Sequence, residues 1–172
     1  MSSAPFQLAP LDAEHDRTTL NSGSESLDRY LREQVTQDVR RRVAACFVAL
    51  ADGQRIAGYY TLASASLLLD ELPASTGKKL PRYPTVPAVR MGRLAVDQAF
   101  KGRGLGGALL ADALDRAARS EIAAYALMVD AKDGTAAAFY QHHGFIALPD
   151  SPHTLFLPLA TVLTRKTDNK AR

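Results

Sequence analysis

Apolar residues recur at every fourth position in the first third of the chain. From Leu27 to Val39 they fall on one side of a helix, so the pattern predicts an amphipathic helix over residues 24–40 with basic side chains on its opposite face. Ser22 and Glu25 have the separation of a capping box, which supports a helix start at this point.

A second helical pattern lies in the middle of the chain. Apolar side chains between Leu105 and Ala117 form one stripe of this helix, and charged side chains form the opposite one. Residues 122–129 follow as a nearly uninterrupted apolar run, which is typical of a central parallel strand covered on both faces. Together with a strand predicted at residues 88–97, they make a βαβ unit.

Two further strands and a long loop are predicted between these helices. Residues 43–50 and 56–64 are rich in aromatic and β-branched side chains and are separated by the turn sequence ADGQR, so we expect an antiparallel hairpin. Residues 70–87 contain four prolines and no sustained period, which predicts a long loop rather than a helix or strand.

The predicted strand at residues 88–97 changes its alternation. Its apolar residues occupy odd positions up to Met91 and even positions from Leu94 onward. A β-bulge near Gly92 and Arg93 would produce this change and leave backbone groups unpaired beside the following loop. A strand that is buried on both faces is the alternative.

The C-terminal third predicts a short helix and closing strands. Asp133 can cap the helix, which ends at the double histidine before Gly144, and the sequences FIAL and TLFLPL follow as strands. Residues 163–172 are interpreted as a flexible basic tail after a single domain over residues 1–162.

Composition is that of an ordinary globular domain. The 172 residues are 47% hydrophobic and 23% charged, and the 21 basic and 18 acidic residues nearly balance, so net charge does not identify a partner. No apolar run approaches the roughly 18 to 20 residues that span a bilayer. The lone Cys46 cannot form an internal disulfide, and the histidines lack zinc-ligand spacing, so we expect a cytoplasmic protein without metal.

A glycine-rich segment precedes the central helix and carries the chemistry. Its glycines are Gly102, Gly104, Gly106 and Gly107. They allow the backbone to approach a ligand with its amide hydrogens, and the following helix N-terminus favours negative charge. Lys101 and Arg103 can neutralise further charge, so the segment is expected to hold a diphosphate.

Other phosphate-binding patterns do not match this segment. A P-loop requires a Lys-Ser or Lys-Thr pair after the glycines, and the dinucleotide fingerprint requires a different glycine spacing after the first strand. A glycine-rich helix entry that binds no ligand remains as the alternative.

The segment RLAVDQAFKGRGLGGALL resembles the acetyl-CoA-binding segment of the GNAT N-acetyltransferases, whose core motif is Q/R-x-x-G-x-G/A. The segment DGTAAAFYQHHGF resembles the family's second motif, a helix that ends FYxxxGF. The resemblance implies the GNAT fold, a mixed α/β (α+β) architecture with a mostly antiparallel sheet, a parallel βαβ acetyl-CoA site and flanking helices. Lys101 stands where Gln or Arg is usual.

The same resemblance implies a set of coenzyme-binding residues. Strand backbone near Leu94 would hold the pantetheine arm, and the glycine-rich segment would hold the diphosphate. The implied residues are Leu94, Ala95, Val96, Lys101, Gly102, Arg103, Gly104, Leu105, Gly106, Gly107 and Asp133.

The N-terminal segment LNSGSESLDRYLREQV, together with Tyr140 late in the chain, resembles a branch of GNAT toxins. Those toxins are paired with small ribbon-helix-helix antitoxins and acetylate the amino group of aminoacyl-tRNA, which blocks translation. The resemblance therefore implies acetyl-CoA as co-substrate, aminoacyl-tRNA as acceptor, an antitoxin as partner and a homodimer. A GNAT enzyme acting on a small amine or a protein N-terminus, and a non-catalytic acyl-CoA-binding regulator, are the alternatives.

Tyr140 is the residue predicted to act in catalysis. The family match places it beside the coenzyme sulfur, where a phenol can protonate the departing thiolate. Phe139, turned about 100° away on the same helix, can take the core-packing role instead. An α-amine has a reference pKa of about 7.7 to 8.0, so acetyl transfer to it needs no strong base.

Basic residues along several elements predict a track for nucleic-acid phosphates. They are Arg40, Arg41, Arg42, Lys78, Lys79, Arg82, Arg90 and Arg93. Such a track binds mainly through counterion release, so its affinity falls steeply with salt. A solvated cationic surface without a partner is the alternative.

Overall fold

The structure is a computed structural model that describes residues 6–163. The strands in this range are β1 (Gln7–Pro10), β2 (Ala45–Ala51), β3 (Arg55–Leu68), β4 (Thr85–Val96), β5 (Ala126–Asp130), β6 (Ile146–Leu148) and β7 (Ser151–Pro158). The helices are α1 (Glu25–Arg29), α2 (Val35–Arg40), α3 (Ala74–Gly77), α4 (Leu105–Arg119) and α5 (Gly134–His142). A π-helical turn covers Tyr30–Gln34, and short 3-10 turns cover Leu69–Glu71 and Gln98–Phe100.

The strands form one sheet in the order β1-β2-β3-β4-β5-β7-β6. β1 with β2, β2 with β3, β5 with β7, and β6 with β7 pair antiparallel, whereas β4 and β5 pair parallel. The predicted mixed, mostly antiparallel sheet and the βαβ unit made by β4, α4 and β5 are therefore confirmed.

The chain divides into two compact units. The first comprises Met1–Ala63 and Gly92–Ala113, and the second comprises Ser64–Met91 and Leu114–Arg172, each as far as it is described. The tail predicted over residues 163–172 lies, apart from its first residue, outside the described residues. No helix in the described range is both long enough and apolar enough to span a membrane.

In the first unit, α1, the π turn and α2 replace the single helix predicted over residues 24–40. Leu31 and Val35 from its apolar stripe are fully buried against residues of β2 and β3. The predicted capping box is wrong, because Ser24 is the N-cap and accepts from the Leu27 backbone N–H. The Ser22 hydroxyl instead donates to the Asp28 carboxylate at 2.6 Å.

In the second unit, the parallel register runs from Ala88 opposite Ala126 to Met91 opposite Val129. Apolar side chains from β3, β4, β5, β6 and β7 form the core of this unit, with Phe156 at 0% exposure. The predicted strand start at residue 122 is wrong, because Ile122 is 83% exposed and β5 begins only at residue 126.

The loop predicted over residues 70–87 is partly wrong. Pro73 precedes a helical turn, α3, in which the Gly77 N–H donates to the Pro73 carbonyl at 2.9 Å. β4 then begins at Thr85, earlier than predicted. Prolines therefore start a helical turn and precede a strand here, instead of excluding both.

Candidate functional site

The turn before α4 is built by a buried carboxylate in the first unit. Asp97 is only 3% exposed, caps the 3-10 turn that follows, and accepts from the Ala99 N–H at 2.8 Å. Its own N–H donates to the Ala57 carbonyl of β3 at 2.8 Å. These bonds fix the direction in which the chain leaves β4 for the glycine-rich segment.

The glycine-rich segment has a backbone shape that requires glycine. Gly102 and Gly104 have φ of +82° and +78°, in the left-handed region that side chains disfavour. A Cβ built on either residue meets no atom within 4 Å, so space is open beside the backbone at both positions. The constraint at these glycines is therefore conformational, and the space beside them is available to a ligand.

α4 begins directly after this turn, at Leu105. The N–H groups of the first turn of a helix have no acceptor within the helix, and the helix dipole adds partial positive charge at the same end. α4 is fifteen residues long. The open glycine backbone and the helix start together fit a diphosphate, so the residues present suit the predicted coenzyme.

The two cations of the segment have different surroundings. The Lys101 ammonium donates to the Ser22 carbonyl oxygen at 3.0 Å. The Arg103 guanidinium lies 5.5 Å from the centre of the Phe100 ring, and the Arg55 guanidinium lies 5.0 Å from the same ring. Lys101 is therefore engaged with backbone of the N-terminal segment, which sequence reasoning did not anticipate.

Side chains at the end of β4 alternate between a buried face and a half-buried face of the strand. Ala95 is 3% exposed and packs in the same core cluster as Tyr59, whereas Leu94 and Val96 are half-buried. Because side chains alternate along a strand, Leu94 and Val96 share the face opposite to Ala95. The bulge predicted near Gly92 and Arg93 stays a prediction.

Arg93 is held by an aromatic ring rather than presented as a free cation. Its guanidinium lies 3.5 Å from the centre of the Tyr30 ring, an attractive contact between a cation and the π-face. The Tyr30 hydroxyl donates to the Asp38 carboxylate at 2.8 Å, and the Gln34 amide donates to the other oxygen of Asp38 at 3.1 Å. Burial is the main cause that raises the pKa of Tyr30 to about 12.

Arg93 and Tyr30 also line a cavity of about 350 Å³ in the first unit. Its other lining residues are Ser26, Leu27, Arg29, Glu33 and Gln34. Sequence reasoning missed Tyr30 and Asp38. The signal that could have found them is a polar series every four residues, Tyr30, Gln34 and Asp38, beside the apolar stripe.

Tyr140 lies in α5 of the second unit, where Asp133 is the N-cap and accepts from the Ala136 N–H at 2.8 Å. Tyr140 is 8% exposed, and its ring packs near Phe145, with 5.6 Å between ring centres. Phe139 is only half-buried, so the expectation that Phe139 would take the core role is wrong. Burial raises the pKa of Tyr140 to about 12.

The predicted basic residues fall into both units. Arg40, Arg41, Arg42 and Arg93 belong to the first unit, and Lys78, Lys79, Arg82 and Arg90 belong to the second. Arg90 forms an ion pair with Asp130, which also accepts from the Thr154 hydroxyl at 2.9 Å. The other residues of the set, apart from Arg93, are exposed. Exposure suits phosphate contacts, while the continuous track itself stays a prediction.

Known proteins resemble this chain along most of its length. The family model of the acetyltransferase (GNAT) domain matches residues 18–154. The tRNA-acetylating toxin of Mycobacterium tuberculosis (strain ATCC 25618 / H37Rv) is 38% identical over 157 residues, which cover 90% of this chain and 91% of that protein.

Solved structures agree with this similarity. AtaT complexed with acetyl-methionyl-tRNAfMet superposes with a TM-score of 0.86 at 28% identity, covering 92% of this chain and 98% of AtaT. AtaTR bound with AcCoA gives a TM-score of 0.80 at 26% identity, covering 93% of this chain and 97% of that one. The fold predicted from the two sequence motifs is thereby confirmed.

Gly104→Ala should weaken acetyl-CoA binding by about tenfold, because a side chain at φ +78° shifts the amides that face the diphosphate. Isothermal titration calorimetry measures this affinity. Gly53→Ala is the matched control, since Gly53 has φ +85°, has no atom within 4 Å of an added Cβ, and lies in the hairpin turn between β2 and β3.

Both variants should lose about 1 kcal/mol of unfolding free energy, because both place a side chain in the left-handed region. Only Gly104→Ala should lose coenzyme affinity. Equal acetyl-CoA affinity in the two variants would contradict the assignment of this turn as the diphosphate site.

Proposed function

Because this chain belongs to the GNAT acetyltransferase family, we propose that it is a toxin that transfers an acetyl group from acetyl-CoA to the α-amino group of aminoacyl-tRNA. The observation that carries this proposal is the 38% identity, over 90% of the chain, to a tRNA-acetylating toxin. The likeness to AtaT in complex with acetyl-methionyl-tRNAfMet supports the same acceptor.

The coenzyme would be held mainly by backbone. The amides from Gly102 to Gly107 would bind the diphosphate, with Arg103 adding positive charge, and the backbone from Leu94 to Val96 would bind the pantetheine arm. Acetyl-CoA supplies the acetyl group as an activated thioester. Asp133 contributes through α5, since its side chain is occupied with the helix cap.

The acceptor amine needs little help from a base. The reference pKa of an α-amine is about 7.7 to 8.0, whereas that of a lysine side chain is about 10.4, so roughly a tenth to a sixth of an α-amine is neutral at pH 7, against less than about a thousandth of a lysine side chain. The burden on the protein is therefore orientation of the amine and supply of a proton to the departing thiolate.

Tyr140 would give its phenolic proton to the sulfur as the C–S bond breaks, and the proton that the nitrogen loses as the amide C–N bond forms would restore the phenol. Its pKa of about 12 keeps the hydroxyl neutral at working pH, although a weaker acid gives up its proton less readily. A thiol has a pKa of about 8.5 in water, and desolvation raises the pKa of a thiol as it raises that of a phenol. The same exclusion of water that weakens the acid thus makes the thiolate a stronger proton acceptor.

The exposed arginines after α2 would contact tRNA phosphates. Arg40, Arg41 and Arg42 end the helix and open the connection to β2, and three cations in sequence give affinity without base recognition. Arg93, which lines a cavity with Tyr30, would contact the tRNA closer to the end that carries the amino acid. The exposed Lys78, Lys79 and Arg82, with Arg90, would extend the contacts.

A toxin of this kind requires a neutralising partner. We infer a ribbon-helix-helix antitoxin as that partner and a homodimer as the assembly, because both accompany the toxin branch that the N-terminal segment resembles. The similarity to a protein named as a toxin supports the antitoxin.

Tyr140→Phe should lower kcat for acetylation of aminoacyl-tRNA by about 100-fold or more, since it removes the proton donor and keeps the ring. Acetyl-CoA affinity should change little. Single-turnover kinetics measure the transfer step, and calorimetry measures the affinity.

Phe139→Leu is the control, because it alters the neighbouring half-buried ring without touching the hydroxyl. In the unaltered enzyme, the rate should not fall between pH 8 and pH 10 through loss of the Tyr140 proton, because the pKa is about 12. Full turnover by Tyr140→Phe would exclude Tyr140 as the proton donor.

Arg41→Glu with Arg42→Glu should raise the KM for aminoacyl-tRNA by about tenfold and reduce the slope of log affinity against log salt by about two. Mass spectrometry of the charged tRNA identifies the acetylated product. Arg119→Glu with Lys132→Glu makes the same charge change outside the predicted track and should leave this KM nearly unaltered.

The opposite result distinguishes the acceptor classes. Transfer that is indifferent to salt and to the Arg41 and Arg42 replacements would indicate a small amine or a protein N-terminus as acceptor. Retention of acetyl-CoA with no acetylated product from any amine would indicate a non-catalytic regulator.

A further inference from the structure

The contact between Lys101 and Ser22 joins the coenzyme segment to the chain that begins α1. The Lys101 ammonium donates to the Ser22 carbonyl oxygen at 3.0 Å across 79 positions of sequence. We propose that Lys101 is a positioning residue for the part of the site that binds the aminoacyl-tRNA acceptor. Through its bond to Ser22, Lys101 couples coenzyme binding to the placement of α1. This inference rests on the proposed function for the identity of the acceptor.

Two backbone bonds hold the same N-terminal segment against the same turn. The Asn21 N–H donates to the buried Asp97 carboxylate at 3.0 Å, and the Gln98 N–H donates to the Asn21 carbonyl at 2.8 Å. A Cβ on Gly23 would lie 2.5 Å from the Gln98 side-chain amide nitrogen. Asn21 to Gly23 thus lies directly on the turn that leads into the diphosphate site.

The position of Ser22 is transmitted into α1. Its N–H and its hydroxyl both donate to Asp28, at 3.1 and 2.6 Å, and Asp28 is 6% exposed. The Leu27 carbonyl in the same helix accepts from the buried Tyr59 hydroxyl at 2.6 Å. A displacement of the Ser22 backbone would therefore disturb buried hydrogen bonds of α1 rather than be absorbed by a free loop.

α1 leads to the residues that line the Arg93 cavity. The helix continues into the π turn, where Tyr30 carries the Arg93 guanidinium on its ring. Ser26, Leu27 and Arg29 of α1 line the same cavity. Lys101 consequently acts on the acceptor through α1, and its role is to position other residues.

The chemistry of lysine suits a link between two partners. An ammonium group combines N–H donors with a positive charge, so Lys101 can keep its bond to the Ser22 carbonyl while its charge faces a diphosphate that the backbone amides bind. A glutamine at this position would offer a neutral amide with both donors on one nitrogen and without the positive charge. Binding of a diphosphate should then strengthen the hydrogen bond from Lys101 to the Ser22 carbonyl. It should also slow hydrogen exchange of the Asn21 to Ser24 amides, because coupling between two sites is reciprocal.

Lys101→Met tests the inference, since methionine keeps an apolar stem and removes the charge and the donors. With saturating acetyl-CoA, the KM for aminoacyl-tRNA should rise by about tenfold, while acetyl-CoA affinity should fall by less than about threefold. Hydrogen exchange of the Asn21 to Ser24 amides should become about tenfold faster. Lys101→Arg, which keeps charge and donors, should restore most of both properties.

Arg103→Met is the matched control in the same segment. Arg103 contacts the Phe100 ring rather than the N-terminal segment, so this variant should lose acetyl-CoA affinity and keep both the KM for aminoacyl-tRNA and the slow exchange of residues 21–24. Lys101→Met should therefore change the KM for aminoacyl-tRNA and the exchange rate of residues 21–24, whereas Arg103→Met should change the affinity for acetyl-CoA.

A tenfold or greater loss of acetyl-CoA affinity in Lys101→Met, with exchange of residues 21–24 unaltered, would overturn the inference and leave Lys101 as a phosphate ligand. If Lys101→Met does not fold, Lys101→Leu, which also lacks the charge and the N–H donors, replaces it under the same criteria. Failure of the proposed function is distinguishable, because exchange and acetyl-CoA affinity are measured without tRNA.

Discussion

The proposed coenzyme site depends on the N-terminus of α4 and on the glycine backbone before it. A helix start concentrates N–H groups that lack partners, and these groups gain most from an anion when the chain can approach it closely. Gly102 and Gly104 provide that approach at positive φ with open space beside them. The buried Asp97 fixes the turn from β4, so the strand, the turn and the helix together suit the diphosphate that we propose they hold.

Burial places opposing demands on Tyr140. Burial of Tyr140 packs its ring near Phe145, and the same burial raises its pKa to about 12. In the proposed proton transfer, such a phenol would donate more readily to a thiolate that is also desolvated, because desolvation raises the pKa of the thiol as well. The proposed role of Tyr140 therefore depends on exclusion of water from both groups.

Much of the fold was predictable because its strongest signals are local. The apolar stripe of α4, the glycines before it and the cap at Asp133 depend on residues close in sequence. The wrong predictions concern choices that tertiary contacts decide. Ser22 has the spacing of a cap, yet its hydroxyl bonds to buried Asp28, and Ser24 caps instead.

In the candidate site, too, local sequence features were predictable and tertiary contacts were not. The glycine motif predicted the turn before α4 and its open backbone, but nothing in the motif indicates that Lys101 bonds to Ser22 or that Tyr30 stacks with Arg93. Those pairs are far apart in sequence, and the π turn that carries Tyr30 has no composition signature. Burial of Tyr140 in place of Phe139 likewise depends on which side of α5 faces the sheet.

The central claim is that main-chain amides before and within the first turn of α4 bind the coenzyme diphosphate. Calorimetric titration of the unaltered protein and of Gly104→Ala with S-acetyl-dephospho-CoA and with S-acetyl-pantetheine tests it most directly. Only the first ligand carries the diphosphate and the adenosine, and the effect of Gly104→Ala separates the contribution of the diphosphate from that of the adenosine. The account predicts that S-acetyl-pantetheine binds about 100-fold more weakly or worse, and that Gly104→Ala narrows this difference. Equal affinity for the two ligands would contradict the account.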